Sequence, residues 1–235
     1  MNLKDKIIVI TGASDGIGKQ IALRLAKEGT KLALIARNEE KLAEVCRLSK
    51  EAGALDAKIY PCDLRQTDKL ENMVKSIISD FGNLDILIND AGIWQKLMPV
   101  EDIEASVIDD VIQTNLIALI HITKLFIPYL KNMEESAIIN VISKSGAVPQ
   151  EGQSVYTASK YGVRGFTEVL SLDLKDTKVK VAGVYQGGID TKMFEKTGET
   201  FSTETFTNPA DLADVIAYML SRPAKIWLSE VHINR

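Results

Sequence analysis

Short, wholly apolar runs alternate along this chain with longer stretches whose apolar residues recur at helical spacing. Lys6 to Ile10 read KIIVI, with no polar face. Such a run suits a strand of a parallel sheet that is covered on both sides. Runs of this kind predict strands at Ile7 to Ile10, Lys31 to Ala36, Ala57 to Tyr60, Leu84 to Asn89, Ala137 to Ser143, Lys178 to Tyr185 and Ile226 to Ile233. In the first intervening stretch, Ile17, Ile21, Ala22 and Leu25 form a stripe through IGKQIALRLAKEG, which Gly29 closes as a C-cap. The same period predicts helices at about Gly16 to Glu28, Glu39 to Ala52, Thr67 to Phe81, Ile103 to Leu130, Ser154 to Lys175 and Pro209 to Ser221. Strand and helix in strict alternation imply right-handed βαβ units, hence an α/β chain with a doubly wound, mainly parallel sheet of seven strands. Repeats, low-complexity tracts and linkers are absent from the sequence, so residues 1–235 read as one domain. The polar, irregular stretch from Thr191 to Asn208 reads as a loop.

Composition narrows the functional classes. With 235 residues and 46% hydrophobic content the chain can bury a sizeable core, and a net charge of -4 leaves no basic footprint for nucleic acid. Cys46 and Cys62 lack zinc-like spacing, His121 and His232 fall in no ligand or Ser/His/Asp pattern, and MNLKDKIIVI carries no long apolar run. A cytoplasmic protein with reduced thiols, no metal and no membrane partner is expected.

Two motifs carry chemistry. TGASDGIG, Thr11 to Gly18, follows the first strand and opens the first helix. Glycines at such a turn let backbone approach a pyrophosphate, whose charge is favoured by the free N–H groups and dipole of the helix start. In SVYTASK, Tyr156 and Lys160 lie four residues apart and share one helix face. An ammonium near a phenol favours the phenolate, so the pair can exchange a proton with an alcohol or ketone near neutral pH.

The glycines are spaced TGxxxGxG rather than GxGxxG, and with Tyr156 and Lys160 in place the chain resembles the short-chain dehydrogenase/reductase family of single-domain, Rossmann-like oxidoreductases. Further matches follow in order: NDAG at Asn89 to Gly92, Asn115 in QTNL, Ser143 thirteen residues before Tyr156, and GGIDTKM from Gly187 to Met193. The resemblance implies a catalytic set of Asn115, Ser143, Tyr156 and Lys160, with Asn115 kinking its helix and holding a water that links Lys160 to solvent. It implies a dinucleotide held by Gly12, Ser14, Asp15, Gly16, Ile17, Gly18, Arg37, Asp63, Leu64, Asn89, Ala91, Gly92, Tyr156, Lys160, Gly187, Ile189 and Thr191. It implies a small carbonyl or alcohol substrate, a lid at about 191–208, and homodimers or homotetramers. The C-terminal run from Arg222 to Arg235 is similar to that of members acting on small hydroxy acids and general carbonyls. Trp94, Gln95, Ser145, Gln153 and Gln186 are expected to line the substrate pocket. A non-catalytic dinucleotide sensor and a sugar-nucleotide epimerase are the other readings. The sensor gives no reason for Ser143, Tyr156 and Lys160 to occur together, and the epimerase relatives show TGxxGxxG with a longer C-terminal region.

Four positions depart from the family pattern: Asp15 in the glycine turn, Asp90 for the second asparagine of NNAG, Lys144 after Ser143, and Gln186 for the usual proline before Gly187. Cofactor choice rests on the end of the second strand, where NAD-specific members place an acidic residue. Here Ala36 is followed by Arg37, whose guanidinium suits a phosphate, so NADP(H) is expected to be preferred, with NAD(H) usable. Asp63 is expected to position the adenine.

Overall fold

A computed structural model of the chain describes residues 1–223 and 225–233. Ala224, Asn234 and Arg235, part of the C-terminal run singled out above, lie outside the described residues. Seven strands form one sheet: β1 (Ile7–Thr11), β2 (Lys31–Ala36), β3 (Asp56–Pro61), β4 (Ile86–Asn89), β5 (Ser136–Val141), β6 (Val179–Gln186) and β7 (Glu230–Ile233). Their order is β3-β2-β1-β4-β5-β6-β7 and every neighbouring pair is parallel. The winding direction reverses between β1 and β4. In open sheets of this kind the crevice at that reversal, outside the carboxyl ends of the strands, is where ligands bind.

Alternation along each strand fills two cores. Ile8, Ile10, Leu32, Leu34, Ile86 and Ile88 pack under α1 (Gly16–Ala26), α2 (Glu39–Glu51) and α7 (Pro209–Ser221). Val9, Ala33, Ile35, Leu87 and Ile138 pack on the other face, against α3 (Thr67–Phe81), α5 (Ala118–Lys131) and α6 (Ser154–Asp173). Each fully buried Ile or Leu is worth about 1.5–3 kcal/mol, which is why strands covered on both faces read as unbroken apolar runs. Asp15, Asn38 and Asn208 cap α1, α2 and α7 through side-chain oxygens that accept from backbone N–H groups, and Pro209 sits in the first turn of α7.

Element ends differ from expectation where side chains take over the pairing. β4 starts at Ile86 rather than Leu84, since the Asp85 carboxylate accepts from Ile7 N at 2.9 Å and from the Lys6 ammonium at 2.7 Å. β7 begins only at Glu230, because Trp227 meets the sheet through its indole N–H, which donates to Val181 O at 2.9 Å. The helix expected over Ile103 to Leu130 is α4 (Ala105–Ile112), a π turn at Gln113–Ile117, and α5. A π turn puts one extra residue into the helix, a local change that hydrophobic periodicity does not register.

Among the described residues one helical stretch, Ala105–Lys131, is long and apolar enough to cross a membrane by length and composition. In this fold its Val111, Ala118, Ile122, Phe126 and Leu130 are buried, and it forms one layer of the molecule.

Candidate active site

A cleft of about 680 Å³ runs along the carboxyl ends of the central strands. At one end stands the glycine turn. Gly12 has φ 72, and a Cβ there would fall 2.9 Å from the Ala91 Cα, so β1 and the β4 loop touch backbone to backbone. A Cβ on Gly18 would fall 2.5 Å from the Gly12 carbonyl oxygen, so α1 can start this close to β1 only without a side chain. The Thr11 hydroxyl ties the same loops together by accepting from Asp90 N and Ala91 N, each at 3.1 Å. Gly12, Ser14, Asp15, Gly16 and Ile17 line the cleft, as do Arg37, Asp63, Leu64, Ala91, Gly92, Gly187, Ile189 and Thr191. Gly18, Asn89 and Asn115 do not.

Asn89 faces the core. Its amide N–H donates to Thr123 Oγ1 at 3.0 Å and to Asn140 Oδ1 at 2.9 Å, while Asn140 Nδ2 donates to Thr167 Oγ1 at 2.8 Å. This chain of amides and hydroxyls fastens β4, β5, α5 and α6 together, so Asn89 shapes the site from behind. Asn115 is likewise enclosed. Its side chain accepts from Ile93 N at 2.8 Å and donates to Ile93 O at 3.0 Å and to Ser159 Oγ at 3.1 Å. Gln95 does not line the cleft as expected. Its Oε1 caps α6 from outside by accepting from Val155 N at 3.1 Å and Tyr156 N at 3.0 Å. A remote cap is invisible in sequence because the donor and acceptor lie some sixty positions apart.

At the other end of the cleft, Ser143, Tyr156 and Lys160 come together, all buried. Ser143 follows β5 with φ 150 and ψ 156, a region that glycine ordinarily occupies. The Lys160 ammonium donates to Val141 O at 3.3 Å and lies 5.7 Å from the Tyr156 ring centre. Burial pushes the Tyr156 phenol up to about 12, against a hydrogen bond with the Ser143 hydroxyl and with the Asp90 charge adding to the rise. This corrects the expectation that the neighbouring ammonium lowers it: in the chain without ligand, desolvation of the phenolate wins. Burial also brings the Lys160 ammonium down to about 8, opposed by Asp90.

Asp90 therefore belongs to this group, which the sequence pattern did not suggest. Its half-buried carboxyl lines the cleft beside the glycine turn, with Oδ2 2.9 Å from where Gly18 would carry a Cβ. Burial pushes it up to about 7, against the Lys160 charge and a hydrogen bond from Gly18 N–H. A second Asp–Lys pair sits at the opposite end of the cleft. The Lys41 ammonium donates to Asp15 Oδ2 at 3.0 Å and Lys196 approaches the same oxygen at 4.0 Å. Burial works against that carboxylate, yet Lys41 and the Gly16 N–H together hold it below its ordinary value. Lys41 and Asn38 share the cleft wall with Arg37. Asp63 accepts from the Arg65 guanidinium at 2.7 Å, and Arg65 bridges on to Asp110 at 2.6 Å.

The glycine cradle, the helix start and the cationic corner at Arg37 and Lys41 fit a phosphate-bearing dinucleotide, and the buried hydroxyl, phenol and ammonium fit proton transfer to an oxygen beside it. Comparison with known proteins agrees. The sequence model described as short chain dehydrogenase matches residues 6–201. An uncharacterized oxidoreductase of Staphylococcus epidermidis is 33% identical over 233 residues, covering 99% of this chain and 98% of the relative. The structure is similar to a metagenomic short-chain oxidoreductase in complex with NADP (28% identity, TM-score 0.85, 99% and 98% of the two chains). It is also similar to a variant actinorhodin polyketide ketoreductase with NADPH (28% identity, TM-score 0.87, 97% and 95%).

Proposed function

Since the chain belongs to the short-chain dehydrogenase family, we propose that it is an NADP(H)-preferring oxidoreductase that interconverts a carbonyl compound and its alcohol, with Tyr156 as the acid/base. The observation that carries this reading is the meeting of Ser143, Tyr156 and Lys160, all buried, at one end of a cleft whose other end is the glycine turn. When bound, the dinucleotide supplies or takes back the hydrogen and electron pair exchanged at the carbonyl carbon. Gly12, Ser14, Gly16 and Ile17 would hold its phosphates at the start of α1, and Arg37 with Lys41 would hold a 2'-phosphate. The Asp15 carboxylate does not oppose that phosphate, because the Lys41 ammonium already matches its charge.

Tyr156 gives its proton to the carbonyl oxygen as negative charge grows there, and the Ser143 hydroxyl donates a hydrogen bond to the same oxygen. A phenol raised to about 12 is fully protonated at neutral pH, which suits the donor role and hence reduction. Lys160 steadies the phenolate that forms, and its own proton restores the phenol. Asn115, locked to Ile93 and Ser159, holds the π turn against α6, so its part is positioning. We further propose one catalytic domain with a lid at about 191–208 and a cytoplasmic location. For the homodimer or homotetramer, Val169 and Leu172, apolar and exposed on α6, supply contact surface. Purified protein mixed with NADPH or NADH and a panel of ketones, followed by dinucleotide absorbance, tests the activity. Absence of turnover with every ketone and every alcohol would remove it.

A further inference from the structure

The chain has six phenylalanines and two tryptophans, and three of the six, Phe194, Phe201 and Phe206, fall in the loop at 191–208. That loop faces Tyr156 through Trp94. The Trp94 ring stands edge-on to Tyr156 with centres 4.6 Å apart and edge-on to Phe194 at 5.0 Å, and Phe194 meets Phe201 at 4.8 Å. The three phenylalanine rings are only half-buried, and they line the cleft. Apolar rings left open to a cleft lose nothing by accepting a flat apolar guest, and aromatic pairs add attraction beyond the area they bury.

Beside these rings Glu199 is negative and the set of Ser145, Gln150 and Gln153 is neutral, while Lys144, Lys192 and Lys196 also line the cleft. Glu199 fastens the loop across the cleft by accepting from Trp94 Nε1 at 2.5 Å and from Leu97 N at 3.0 Å. Its carboxylate would repel a substrate acid group. Ser145, Gln150 and Gln153 hydrogen-bond one another and carry no charge. Arg37, the one arginine among the residues described as lining the cleft, lies at the far end, and Lys196 turns toward Asp15.

Resting on the carbonyl-reductase reading, we propose that the substrate is a carbonyl compound with an aromatic or similarly flat apolar substituent, packed against Trp94 and the phenylalanines of the 191–208 loop. A small keto acid of the kind suggested by the C-terminal run lacks such a substituent and is disfavoured on this wall.

The test compares acetophenone, butanone and pyruvate as substrates with NADPH. For the unmodified protein, kcat/KM for acetophenone should exceed that for butanone by about tenfold, with pyruvate slowest. Phe201→Ala removes a ring from the half-buried loop and Trp94→Ala removes the wall beside Tyr156. Each should cut the acetophenone-to-butanone ratio at least about threefold, mainly through KM. Binding is read separately by quenching of Trp94 emission in a Trp227→Phe background, with acetophenone added in the presence of NADP⁺. Preference for butanone or pyruvate overturns the proposal and leaves the carbonyl-reductase reading standing, as does a ratio unchanged in both variants. Quenching by acetophenone without turnover of any ketone supports the pocket and sinks the reductase reading. Absence of both quenching by acetophenone and its turnover overturns the proposal.

Discussion

The cleft has an aspartate–lysine partnership at each end, and the two behave in opposite ways. Asp15 and Lys41 are 3.0 Å apart at the rim, where solvent screens them and the carboxyl is held below its ordinary value. Lys160 sits beside the phenol with Asp90 reaching toward it from under the glycine turn, and desolvation raises the acid to about 7 and lowers the base to about 8. The same two residue types thus make a fixed charge pair in one place and a titrating pair in the other. Water content decides which. An exposed ion pair can lend charge to a bound phosphate without changing state, whereas partly desolvated groups titrate nearer neutral pH, where proton transfer is useful.

The largest test of the buried end is Tyr156→Phe. Removing the phenol hydroxyl that lines the cleft beside Ser143 and Lys160 should lower kcat by about 10²–10⁴-fold while cofactor binding, measured by fluorescence titration, changes little. Retention of more than a few per cent of the rate would assign the proton to another group. Lys160→Ala should follow, with kcat reduced by about 10²-fold and KM for NADPH raised as well, since the charge beside the phenolate goes with the side chain.

At the rim, Arg37→Ala is expected to raise KM for NADPH by about tenfold and to leave KM for NADH within about twofold, Lys41→Ala doing the same more weakly. Both effects should shrink as salt is added, because exposed charges are screened within a Debye length of about 10 Å at 0.1 M. Equal use of NADH and NADPH by the unmodified protein would remove the phosphate role from both residues.

The smallest effect contrasts the pairs directly. With its ammonium present below about 8, Lys160 should give a reduction rate that falls as pH rises through that value. Asp90 favours the ammonium, so Asp90→Asn should move this limb to lower pH, by about half to one unit. Asp15→Asn should leave the limb where it was. A limb that stays fixed in Asp90→Asn would mean that the two buried groups do not communicate.

How much of this was legible in the sequence depended on distance along the chain. Strands buried on both faces announce themselves as apolar runs, and Tyr156 and Lys160 are one helical turn apart, so both features were visible locally. The glycine turn was visible because its conformations exclude side chains. Lys41 of α2 and Asp15 at the start of α1 were not readable as a pair, nor was Asp90 as a neighbour of Lys160 of α6, because only the packing of these elements around the carboxyl ends of the strands brings them near one another. The direction of the Tyr156 shift was misread for a related reason. Sequence shows the neighbouring charge but not the depth of burial, and burial is the larger effect here. Asn89 and Asn115 stood out through the motifs NDAG and QTNL, but which way each amide points is settled by packing.

Ser143 places a price on activity that stability measurements can read. At φ 150 and ψ 156 it holds a conformation suited to glycine, which costs a side chain about 1–3 kcal/mol. Ser143→Gly should therefore gain up to about 1 kcal/mol after the extra freedom glycine brings to the unfolded chain, while Ser143→Ala, which keeps the strain, should not. On the proposed mechanism both should lose the rate with the hydroxyl. Selection for thermal tolerance alone would then erode this position toward glycine, and a serine kept there marks a molecule tuned for turnover over endurance.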